Sequence, residues 1–599
     1  MAQSPTLEPA FDPDALRKKY QEEREKRLRA DGNNQYIQIA GEFARYADDP
    51  YAKHIEREPL TDEVEVAIIG GGFAGLLLGA RLREAGVASL RIIEKGSDFG
   101  GTWYWNRYPG AACDTEAYIY LPLLEETGYI PTEKYAKGNE IFEHSQRIAE
   151  HYNLYDNACL QTGVTGLEWD DRESHWIIST DRNDRIRAQY VCMANGPLNR
   201  PKLPGIPGIE SFKGHSFHTS RWDYSYTGGN NFGNLTGLND KVVGIIGTGA
   251  TAVQCVPHLG EAAKHLYVFQ RTPSSIDVRA NRPTDPEWAA SLEPGWQKKR
   301  MENFSLLTSG GFAEEDLVMD GWTDIIGRLL RAMRTSGDAI NAENIQKAVE
   351  MADFEKMESI RARAEAIVSD PDVAESLKPY YRQFCKRPCF HDEYLQTFNR
   401  PNVTLVDTKG KGVEAVTERG VIANGEEYEV DCLIFATGFE VGTPLVQRAG
   451  YEVTGKDGLT LTEKWADGVS TLFGMQTRGF PNLFIISLSQ GPMGANIPHV
   501  LDIQSRHISY IIDEARKREA ATVDVEEEAE NNWVDTIIKA SVANLQFLEN
   551  CTPGYYNNEG MPQGELIRRN GTYAPGPIAF QGVVDAWRAK GDLAGLKIE

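Results

Sequence analysis

Two glycine-rich stretches carry the residue types and the spacing that bind a nucleotide pyrophosphate: Gly70-x-Gly-x-x-Gly75 and Gly247-x-Gly-x-x-Ala252. The first glycine makes a tight turn, the second lets the backbone approach the phosphates, and a small third residue lets helix and strand pack closely. The N-terminus of the following helix stabilises the phosphate charge. One such motif alone is weak, but each copy follows a predicted strand and precedes a predicted helix. The sequence therefore predicts two dinucleotide sites.

The residue that ends the second strand of each unit indicates which nucleotide is bound. Glu94 stands 24 residues after Gly70, and Arg271 stands 24 residues after Gly247, with Thr272 beside it. A carboxylate accepts hydrogen bonds from ribose hydroxyls and repels a 2′-phosphate, whereas a guanidinium binds that phosphate in a bidentate way. The alternative for Arg271 is a solvated surface cation. The preferred interpretation is a flavoprotein with FAD in the first unit, reduced by NADPH in the second.

The elements that must position these loops read as repeated β-α-β units. Short β-branched runs alternate with helical patterns, and further strands follow later in the chain. The strand at 432–436 leads into Ala436-Thr-Gly438, small residues that allow a close backbone approach and are expected near the FAD. The predicted strands are 64–69, 90–93, 241–246, 266–270, 403–406, 432–436 and 481–486, and the helices that follow the two loops are 76–85 and 253–263.

The predicted fold class is α/β, with two Rossmann-like dinucleotide-binding domains, one for FAD and one for NADP, a helical insertion and an N-terminal helical extension. Residues 1–60 form the extension, 61–200 the first part of the FAD domain, 201–430 the NADP domain, and 431–599 the rest of the FAD domain and a tail. The insertion covers about 285–380. Asp12 and Pro13 begin a helix that is expected to pack through Leu16 and Tyr20. The charge run from 14 to 29 is interpreted as a solvated face.

Composition limits the classes of function. The chain has 599 residues, a formal charge of −24 and 41% hydrophobic residues, so it can bury large cores and lacks the basic balance of a nucleic-acid or anionic-lipid binder. No signal peptide is visible, and the longest apolar stretch, 66–80, is too short to span a bilayer. Eight cysteines are too few for a disulfide scaffold, so Cys385, Cys389 and the others are expected to be buried reduced thiols in the cytoplasm, and no metal site is predicted.

Two longer stretches are similar to the fingerprints of type I Baeyer–Villiger monooxygenases. They are Gly100-Gly-Thr-Trp-Tyr-Trp-Asn-Arg-Tyr-Pro-Gly-Ala-Ala-Cys-Asp114 and Phe212-Lys-Gly-His-Ser-Phe-His-Thr-Ser-Arg-Trp-Asp223. The second lies between the two nucleotide loops, as it does in the family, and the resemblance spans roughly residues 60–560. The N-terminal extension, the stretch 385–392 and the stretch 551–560 most resemble the branch that acts on large cyclic ketones, the cyclododecanone and cyclopentadecanone monooxygenases.

The resemblance implies a specific chemistry. NADPH reduces FAD, the reduced flavin takes up O2 to form a C4a-peroxyflavin, and this adds to a ketone carbonyl. The adduct rearranges to an ester or lactone, and water is released. The implied partners are therefore a small-molecule ketone, bulky or large-ring, and O2. The oligomeric state, the ring size and the stereochemical preference are left open.

The resemblance also assigns residues. Arg387 would be the central catalytic cation, because a guanidinium stabilises an anionic oxygen without acting as an acid. Asp114 would hold it in place, and Lys386 would bind the 2′-phosphate beside Arg271. Trp103, Trp105 and Tyr120 match flavin-pocket positions, with core packing as the alternative. His218 and Trp222 match positions for domain control, with a structural role as the alternative. The residues assigned to cofactor binding are Gly70, Gly72, Phe73, Gly75, Glu94, Thr102, Trp103, Trp105, Asp114, Tyr120, Val164, Gly247, Thr248, Gly249, Thr251, Gln254, Arg271, Thr272 and Lys386.

The sequence departs from the family pattern near its C-terminus, and two other functions are alternatives to the Baeyer–Villiger reaction. Many members of the family carry a C-terminal Trp before Gly-Ala-Asn-Ile-Pro-Gly that contacts NADP. Here the stretch 555–558 stands near that place, and Gly494-Ala-Asn-Ile-Pro498 lies too early, so the Trp is not transferred. The first alternative is a flavin-dependent N- or S-oxygenase that uses a protonated hydroperoxyflavin. The second is an NADPH-dependent reductase, which would need a Cys-x-x-Cys pair, and Cys385 and Cys389 are one residue too far apart.

Overall fold

The computed structural model describes residues 11–37, 39–324, 327–328, 342–561 and 564–599. Two sheets dominate it, one mixed and one parallel, and in each a nucleotide loop follows the carboxyl end of a parallel strand. This is the α/β architecture that the two loops predict, and the predicted fold class is confirmed.

The first sheet surrounds the loop at Gly70. Its parallel part places the strand Glu63–Ile69 between Leu90–Ile93 and Arg185–Met193, with Leu483–Ile485 beside the end of the latter. An antiparallel meander extends this sheet, and its outermost strand pairs in parallel with Glu452–Thr454; the meander strands are Val164–Asp170, His175–Thr180 and Arg185–Met193. The central strands are almost completely buried, which is typical of a parallel sheet covered on both faces.

The second sheet surrounds the loop at Gly247 and is parallel throughout. In spatial order its strands are Val403–Asp407, His265–Gln270, Val242–Ile246, Cys432–Phe435 and His215–His218. The strand Cys432–Phe435 therefore lies in the second domain and not, as the sequence suggested, in the last part of the first. The predicted division after residue 430 falls one strand too early, because the sequence of a short buried strand does not indicate which sheet it joins. A small antiparallel sheet follows Val403–Asp407, with strands Ala415–Val416, Gly420–Ala423 and Glu426–Glu429.

Helices cover both sheets and form the insertion. The longest is Ala342–Ile367, in the region predicted to be a helical insertion, and Ile497–Lys517 packs against Phe73–Glu84 beside the first loop. No helix among the described residues is long and apolar enough to cross a membrane. The other helices are Pro13–Glu25, Thr102–Trp105, Ala117–Tyr120, Leu124–Thr127, Gly138–His151, Tyr224–Thr227, Ala250–Ala262, Pro286–Ala290, Trp296–Thr308, Pro371–Ser376, Tyr394–Thr397, Leu445–Ala449, Leu461–Lys464, Glu527–Glu549, Gly564–Arg569 and Pro577–Lys590. Two-stranded pairings complete the list of strands: Tyr36–Ile37 with Leu203–Pro204, Ile276–Asp277 with Cys389–Phe390, and Val523–Val525 with Leu596–Ile598.

The N-terminal extension is partly as predicted. Asp12 caps the helix Pro13–Glu25, and Leu16 and Tyr20 are buried, Tyr20 against Phe354 of the insertion. The charge run is not merely solvated, which corrects the prediction. Arg27 is only 7% exposed and donates to Thr272 at the end of the second sheet. Composition could not show this, because the partner is 245 residues away in the sequence.

The cysteine prediction is wrong for one pair. Cys385 forms a disulfide with Cys551, and the segments that carry them are brought together by the fold across 166 residues of sequence. Cys389 and the other five described cysteines are free and buried, as predicted. The expectation of reduced thiols fails for Cys385 and Cys551, because their pairing depends on distance in space and not on spacing in the sequence.

Both nucleotide loops depend on glycine for close backbone packing. Gly70 and Gly247 have positive φ values of 111° and 114°. A Cβ on Gly75 would lie 1.9 Å from the carbonyl oxygen of Gly70, a backbone atom that cannot move aside. The third glycine thus lets the helix Phe73–Glu84 start directly on the turn, as the motif requires.

Replacing Gly75 with Ala should destabilise the first domain by about 1–3 kcal/mol, the usual cost of overpacking, and should reduce the amount of flavin that the purified protein retains. Thermal unfolding followed by circular dichroism, together with the flavin absorbance, measures both effects. The matched control is Gly582→Ala in the helix Pro577–Lys590, where an added Cβ meets no atom within 4 Å. That variant should be neutral or stabilised by up to about 1 kcal/mol. Equal stability of the two variants would contradict the packing argument.

Candidate active site

Glu94 is fixed at the first loop by two backbone amides. Its Oε2 accepts a hydrogen bond from Gly71 N and its Oε1 accepts one from Gly96 N, both at 2.6 Å. Burial raises the pKa of this carboxyl group. The side chain therefore stands at the carboxyl end of the strand Leu90–Ile93, where the ribose of a dinucleotide lies in this fold.

The stretch 100–114 packs directly on the first loop. A Cβ on Gly101 would lie 2.6 Å from Gly72 Cα, so the two backbones touch and the helix Thr102–Trp105 starts beside the pyrophosphate position. Trp103 Nε1 donates to Tyr120 Oη at 3.2 Å, and Tyr120 packs edge-on against Phe73. The structure thus brings Phe73, Trp103 and Tyr120 together beside the first loop.

Two further residues assigned to cofactor binding, Trp105 and Val164, have neighbours outside the group of Phe73, Trp103 and Tyr120. Trp105 lies under the guanidinium of Arg221, 3.8 Å from its ring, and so connects the first fingerprint to the second. Val164 begins a strand of the meander and is half-buried. It follows Thr162, whose amide donates to Glu94 O at 2.9 Å, and it therefore stays close to the nucleotide edge of the sheet.

The second loop is open at its centre and tied to the first domain by its helix. An added Cβ on Gly249 would meet no protein atom within 4 Å, which leaves room for a phosphate. Thr248 Oγ1 donates to Thr272 O at 2.7 Å and fixes the loop to the end of the neighbouring strand. One turn into the helix Ala250–Ala262, Gln254 donates to Ala112 O at 2.9 Å and accepts from Tyr108 Oη at 3.0 Å. Gln254 thus links the two domains, with Thr251 also on this helix.

Arg271, Thr272 and Lys386 come together although more than 100 residues separate the last from the first two. Arg271 Nη1 donates to Gln35 Oε1 at 2.7 Å, and Lys386 Nζ donates to Pro553 O at 3.0 Å. Burial, and then the charge of Arg271, lower the pKa of Lys386 to about 8. The two cations therefore repel each other across a short distance, as expected in a site built for a highly charged anion.

Arg387 is held by Asp114 through a bidentate ion pair. Nη1 donates to Oδ2 at 2.8 Å, and Nη2 donates to Oδ1. The Asp114 side chain is 2% exposed and that of Arg387 33%, so the guanidinium is fixed from behind and open on one side. Burial acts to lower the pKa of Arg387, but the paired carboxylate outweighs it and holds the pKa well above the ordinary value. Arg387 therefore stays cationic.

The ionisable groups beside this pair are weak acids. Burial, and then Asp114, raise the pKa of Cys113 to about 12, and burial raises that of Cys389 to about 11. Burial also raises the pKa of Tyr120. At neutral pH these three groups keep their protons, so a negatively charged oxygen next to Arg387 would meet a permanent cation and poor proton donors.

His218 and Trp222 lie at the joint between the domains. The segments that connect the two sheets pair with each other, with Lys202 N donating to Gly438 O at 2.9 Å, and the His218 ring lies 5.8 Å from that of Phe439. Burial lowers the pKa of His218 to about 3, so the ring is neutral. Trp222 is fully buried and donates to Thr227 Oγ1 at 3.0 Å. The geometry favours positioning of the domains over proton transfer for both.

Several residues of the site were not found from the sequence. Trp322 of the insertion donates through Nε1 to Asp114 O at 2.8 Å and places its ring 5.8 Å from the Arg387 guanidinium. Asn496 donates to Ile119 O at 2.9 Å and precedes the N-terminus of the helix Ile497–Lys517. The string 494–498, set aside for its position, thus lies next to the segment that follows the first fingerprint, and its Asn-Ile-Pro was a helix-start signal that could have been read.

Comparisons with known proteins agree with this geometry. The profile of the family described as pyridine nucleotide-disulphide oxidoreductase matches residues 67–304. Neopentalenolactone D synthase of Streptomyces avermitilis is 56% identical over 98% of this chain and 99% of its own length. A Baeyer–Villiger monooxygenase of Streptomyces coelicolor is 50% identical over 96% of this chain and 95% of its own.

Solved structures show the same likeness. The polycyclic ketone monooxygenase from the thermophilic fungus Thermothelomyces thermophila has a TM-score of 0.90 and 39% identity, with 98% of this chain and 99% of that chain covered. An oxidized steroid monooxygenase bound to NADP has a TM-score of 0.72 and 28% identity over 90% of this chain and 99% of its own. The family predicted from the fingerprints is confirmed, whereas its large-ring branch stays a prediction.

The two loops leave room for phosphates, and Glu94 and the cations at Arg271 fit FAD and a phosphorylated nicotinamide cofactor. Relatives that match the chain over nearly its full length share half of its sequence. The chain therefore belongs to the Baeyer–Villiger monooxygenase family and is an FAD-containing, NADPH-dependent flavoprotein monooxygenase.

Proposed function

We propose that the enzyme converts bulky cyclic ketones into lactones, and other ketones into esters. One oxygen atom of O2 is inserted between the carbonyl carbon and a neighbouring carbon. The other oxygen leaves as water, while NADPH and a proton become NADP⁺. The observation that carries the proposal is the bidentate pair of Arg387 with buried Asp114, open on one side and surrounded by weak acids.

The first domain holds the flavin. Glu94 accepts from the ribose hydroxyls, while the turn at Gly70 and the small residues at Gly72 and Gly75 let the backbone lie against the pyrophosphate. Thr102, Trp103 and Tyr120 line the adjoining wall, next to the Arg387–Asp114 pair. Bound FAD, once reduced, supplies the activated oxygen that adds to the ketone.

Arg387 acts on the charge that this chemistry develops. Its guanidinium stabilises an anionic oxygen, first before it adds to the carbonyl and then on the tetrahedral adduct. Because its pKa is held so high by Asp114, it gives hydrogen bonds without giving up a proton. The same property disfavours N- or S-oxygenation, which needs that oxygen to be protonated.

The second domain holds NADPH. Gly247, Thr248 and Gly249 form the pyrophosphate loop, and Arg271, Thr272 and Lys386 recognise the 2′-phosphate. Gln254 fixes the start of the helix against the first domain, and Thr251, on the same helix, would lie beside the bound cofactor. The proximity of Arg271 to Lys386, and the Thr272 hydroxyl that follows Arg271 at the end of the second sheet, support this assignment.

The preference for bulky ketones rests on relatives. One is named neopentalenolactone D synthase and another polycyclic ketone monooxygenase, and both match this chain over 98% of its length. We expect fused or large rings to be converted with higher kcat/KM than cyclohexanone.

This preference is tested with a panel that runs from cyclohexanone through cyclododecanone and cyclopentadecanone to fused polycyclic ketones, each incubated with NADPH and air. Mass spectrometry should show products heavier than the ketone by one oxygen atom. We expect kcat/KM to rise by about tenfold or more from cyclohexanone to the bulky members. Equal or better turnover of cyclohexanone would overturn the substrate proposal and leave the reaction class standing.

Arg387→Ala should abolish lactone formation, with a loss of about 100-fold or more in kcat, the usual effect of removing one donor to a developing oxyanion. NADPH oxidation should continue, with hydrogen peroxide as the product. Lactone and peroxide yields measured together check this. Arg387→Lys keeps the charge but loses the bidentate geometry and should fall between the parent and Ala. Unchanged lactone yield in the Ala variant would remove Arg387 from the mechanism.

Lys386 gives a pH dependence. Its pKa of about 8 means that it is charged below pH 8 and loses its charge above. NADP⁺ binding requires the charged form, so the Kd should rise above pH 8 by up to tenfold per pH unit, because one proton must then be taken up. Titration calorimetry from pH 6.5 to 9.5 measures it. Lys386→Arg keeps its charge throughout and should bind with a flat profile; a parallel rise in both proteins would exclude Lys386 as the cause.

A further inference from the structure

A carboxylate lies inside the cation site of the second domain. Glu559 is 4% exposed in its side chain; its Oε2 lies 3.3 Å from Arg271 Nη2 and its Oε1 3.6 Å from Lys202 Nζ. Tyr36 Oη donates to Oε1 at 3.1 Å. Burial acts to raise the pKa of Glu559, but Arg271, Lys202 and Lys386 outweigh it and lower the pKa, so the group is an anion.

The cations outnumber this anion. We define the cation cluster as Arg27, Lys202, Arg271 and Lys386; Lys202 and Arg271 ion-pair with Glu559, and the charge of Arg271 lowers the pKa of both Lys202 and Lys386. Arg27 reaches the cluster from the N-terminal extension, where its Nε donates to Thr272 Oγ1 at 3.0 Å. Glu23 pairs with Arg27 at 2.6 Å, and Glu559 is the carboxylate that ion-pairs with two of the other three cations. Burial is the main cause of the lowered pKa of Lys386, and the charges of Arg271 and Arg27 add to it.

We propose that Glu559 occupies the place of the 2′-phosphate of NADPH in the free enzyme and must be displaced when the cofactor binds, which makes it a residue that sets cofactor affinity and specificity. The inference rests on the proposed role of Arg271, Thr272 and Lys386. A phosphate dianion satisfies the cluster better than a single carboxylate does, because it carries more charge and three acceptor oxygens. A cofactor without that phosphate cannot replace Glu559.

The segment that carries Glu559 is anchored at its start. The turn Tyr555–Gly560 follows Cys551, whose disulfide to Cys385 ties it to the stretch that holds Lys386 and Arg387. Glu559 N donates to Gly554 O at 2.8 Å, so the turn closes on itself. Tyr555, at its other end, interacts electrostatically with Arg387. Displacement of Glu559 therefore moves a tethered turn that also bears a residue acting electrostatically on Arg387.

The expected change in the Kd for NADP⁺ follows from competition between Glu559 and the 2′-phosphate for the cation cluster. If Glu559 fills the cluster in about nine of ten free molecules, only about one tenth is ready to bind, and the apparent Kd is raised about tenfold. Glu559→Gln removes the competing charge and nearly preserves the shape. It should lower the Kd for NADP⁺ by about tenfold and leave the Kd for NAD⁺ within about twofold.

The test is titration calorimetry of the FAD-loaded enzyme with NADP⁺, NAD⁺ and 2′-AMP, in a buffer free of phosphate. Tighter binding of NADP⁺ and 2′-AMP by Glu559→Gln, without a gain for NAD⁺, supports the proposal. Weaker binding of NADP⁺ would show that Glu559 orients the cations for the cofactor and would overturn it; unchanged binding overturns it as well. The control is Glu418→Gln, an exposed carboxylate 3.9 Å from Lys213 Nζ, which should leave all three Kd values unchanged.

A second variant guards against misfolding. Tyr36→Phe removes one donor to Glu559 and keeps the aromatic ring against Lys202, so it should tighten NADP⁺ by about twofold to threefold. Arg271→Ala distinguishes a failure of the proposed 2′-phosphate site from a failure of the proposed role of Glu559. If this variant binds NADP⁺ as well as the parent does, the proposed 2′-phosphate site fails; if it binds NADP⁺ more weakly while Glu559→Gln shows no gain, only the role of Glu559 fails.

Discussion

The ion pair between Arg387 and Asp114 is the interaction on which the rest of the site depends. Asp114 ends the first fingerprint, which packs on the flavin loop, whereas Arg387 lies next to the strand Cys389–Phe390, which pairs with Ile276–Asp277 after the second nucleotide unit. The pair therefore joins the two domains. Breaking a buried pair by removing one partner costs about 3–5 kcal/mol, since a buried charge is left alone. The site exists only where both domains are correctly docked.

The second fingerprint supplies that docking. Its Arg221 lies over Trp105 of the first fingerprint, its Trp222 is fully buried, and its His218 lies against the paired connecting segments. Gln254, on the helix after the second loop, adds hydrogen bonds to the backbone of the first domain. These residues need not touch a reacting atom. They fix the distance between a flavin in one domain and a nicotinamide in the other, on which hydride transfer depends.

Local patterns in the sequence predicted the parts of the fold whose cause is local. The glycine loops, Glu94 and Arg271 were found because a turn, a strand end and a fixed spacing are all written in one stretch of chain. The disulfide of Cys385 with Cys551, the contact of Arg27 with Thr272 and the cover of Asp114 by Trp322 were not found. Each joins segments more than 150 residues apart. The strand Cys432–Phe435 was found as a strand but assigned to the wrong domain, for the same reason.

The cation cluster explains how a chain with a formal charge of −24 can bind a multiply charged cofactor. Salt screens charges beyond about 8 Å at physiological ionic strength, so the distant acidic surface contributes little and the local groups decide. Arg27 is paired with Glu23, but Lys202, Arg271 and Lys386 would be costly to keep out of water without an anion of their own. With Glu559 among them, the enzyme exchanges one internal anion for the 2′-phosphate and never leaves the cluster empty. The cost of desolvating the cations is then nearly the same before and after binding, and the affinity reflects only the difference between a carboxylate and a phosphate. NADH has no 2′-phosphate, so it gains nothing from displacing Glu559. Selectivity for NADPH then follows from the carboxylate that the enzyme already holds in the cluster.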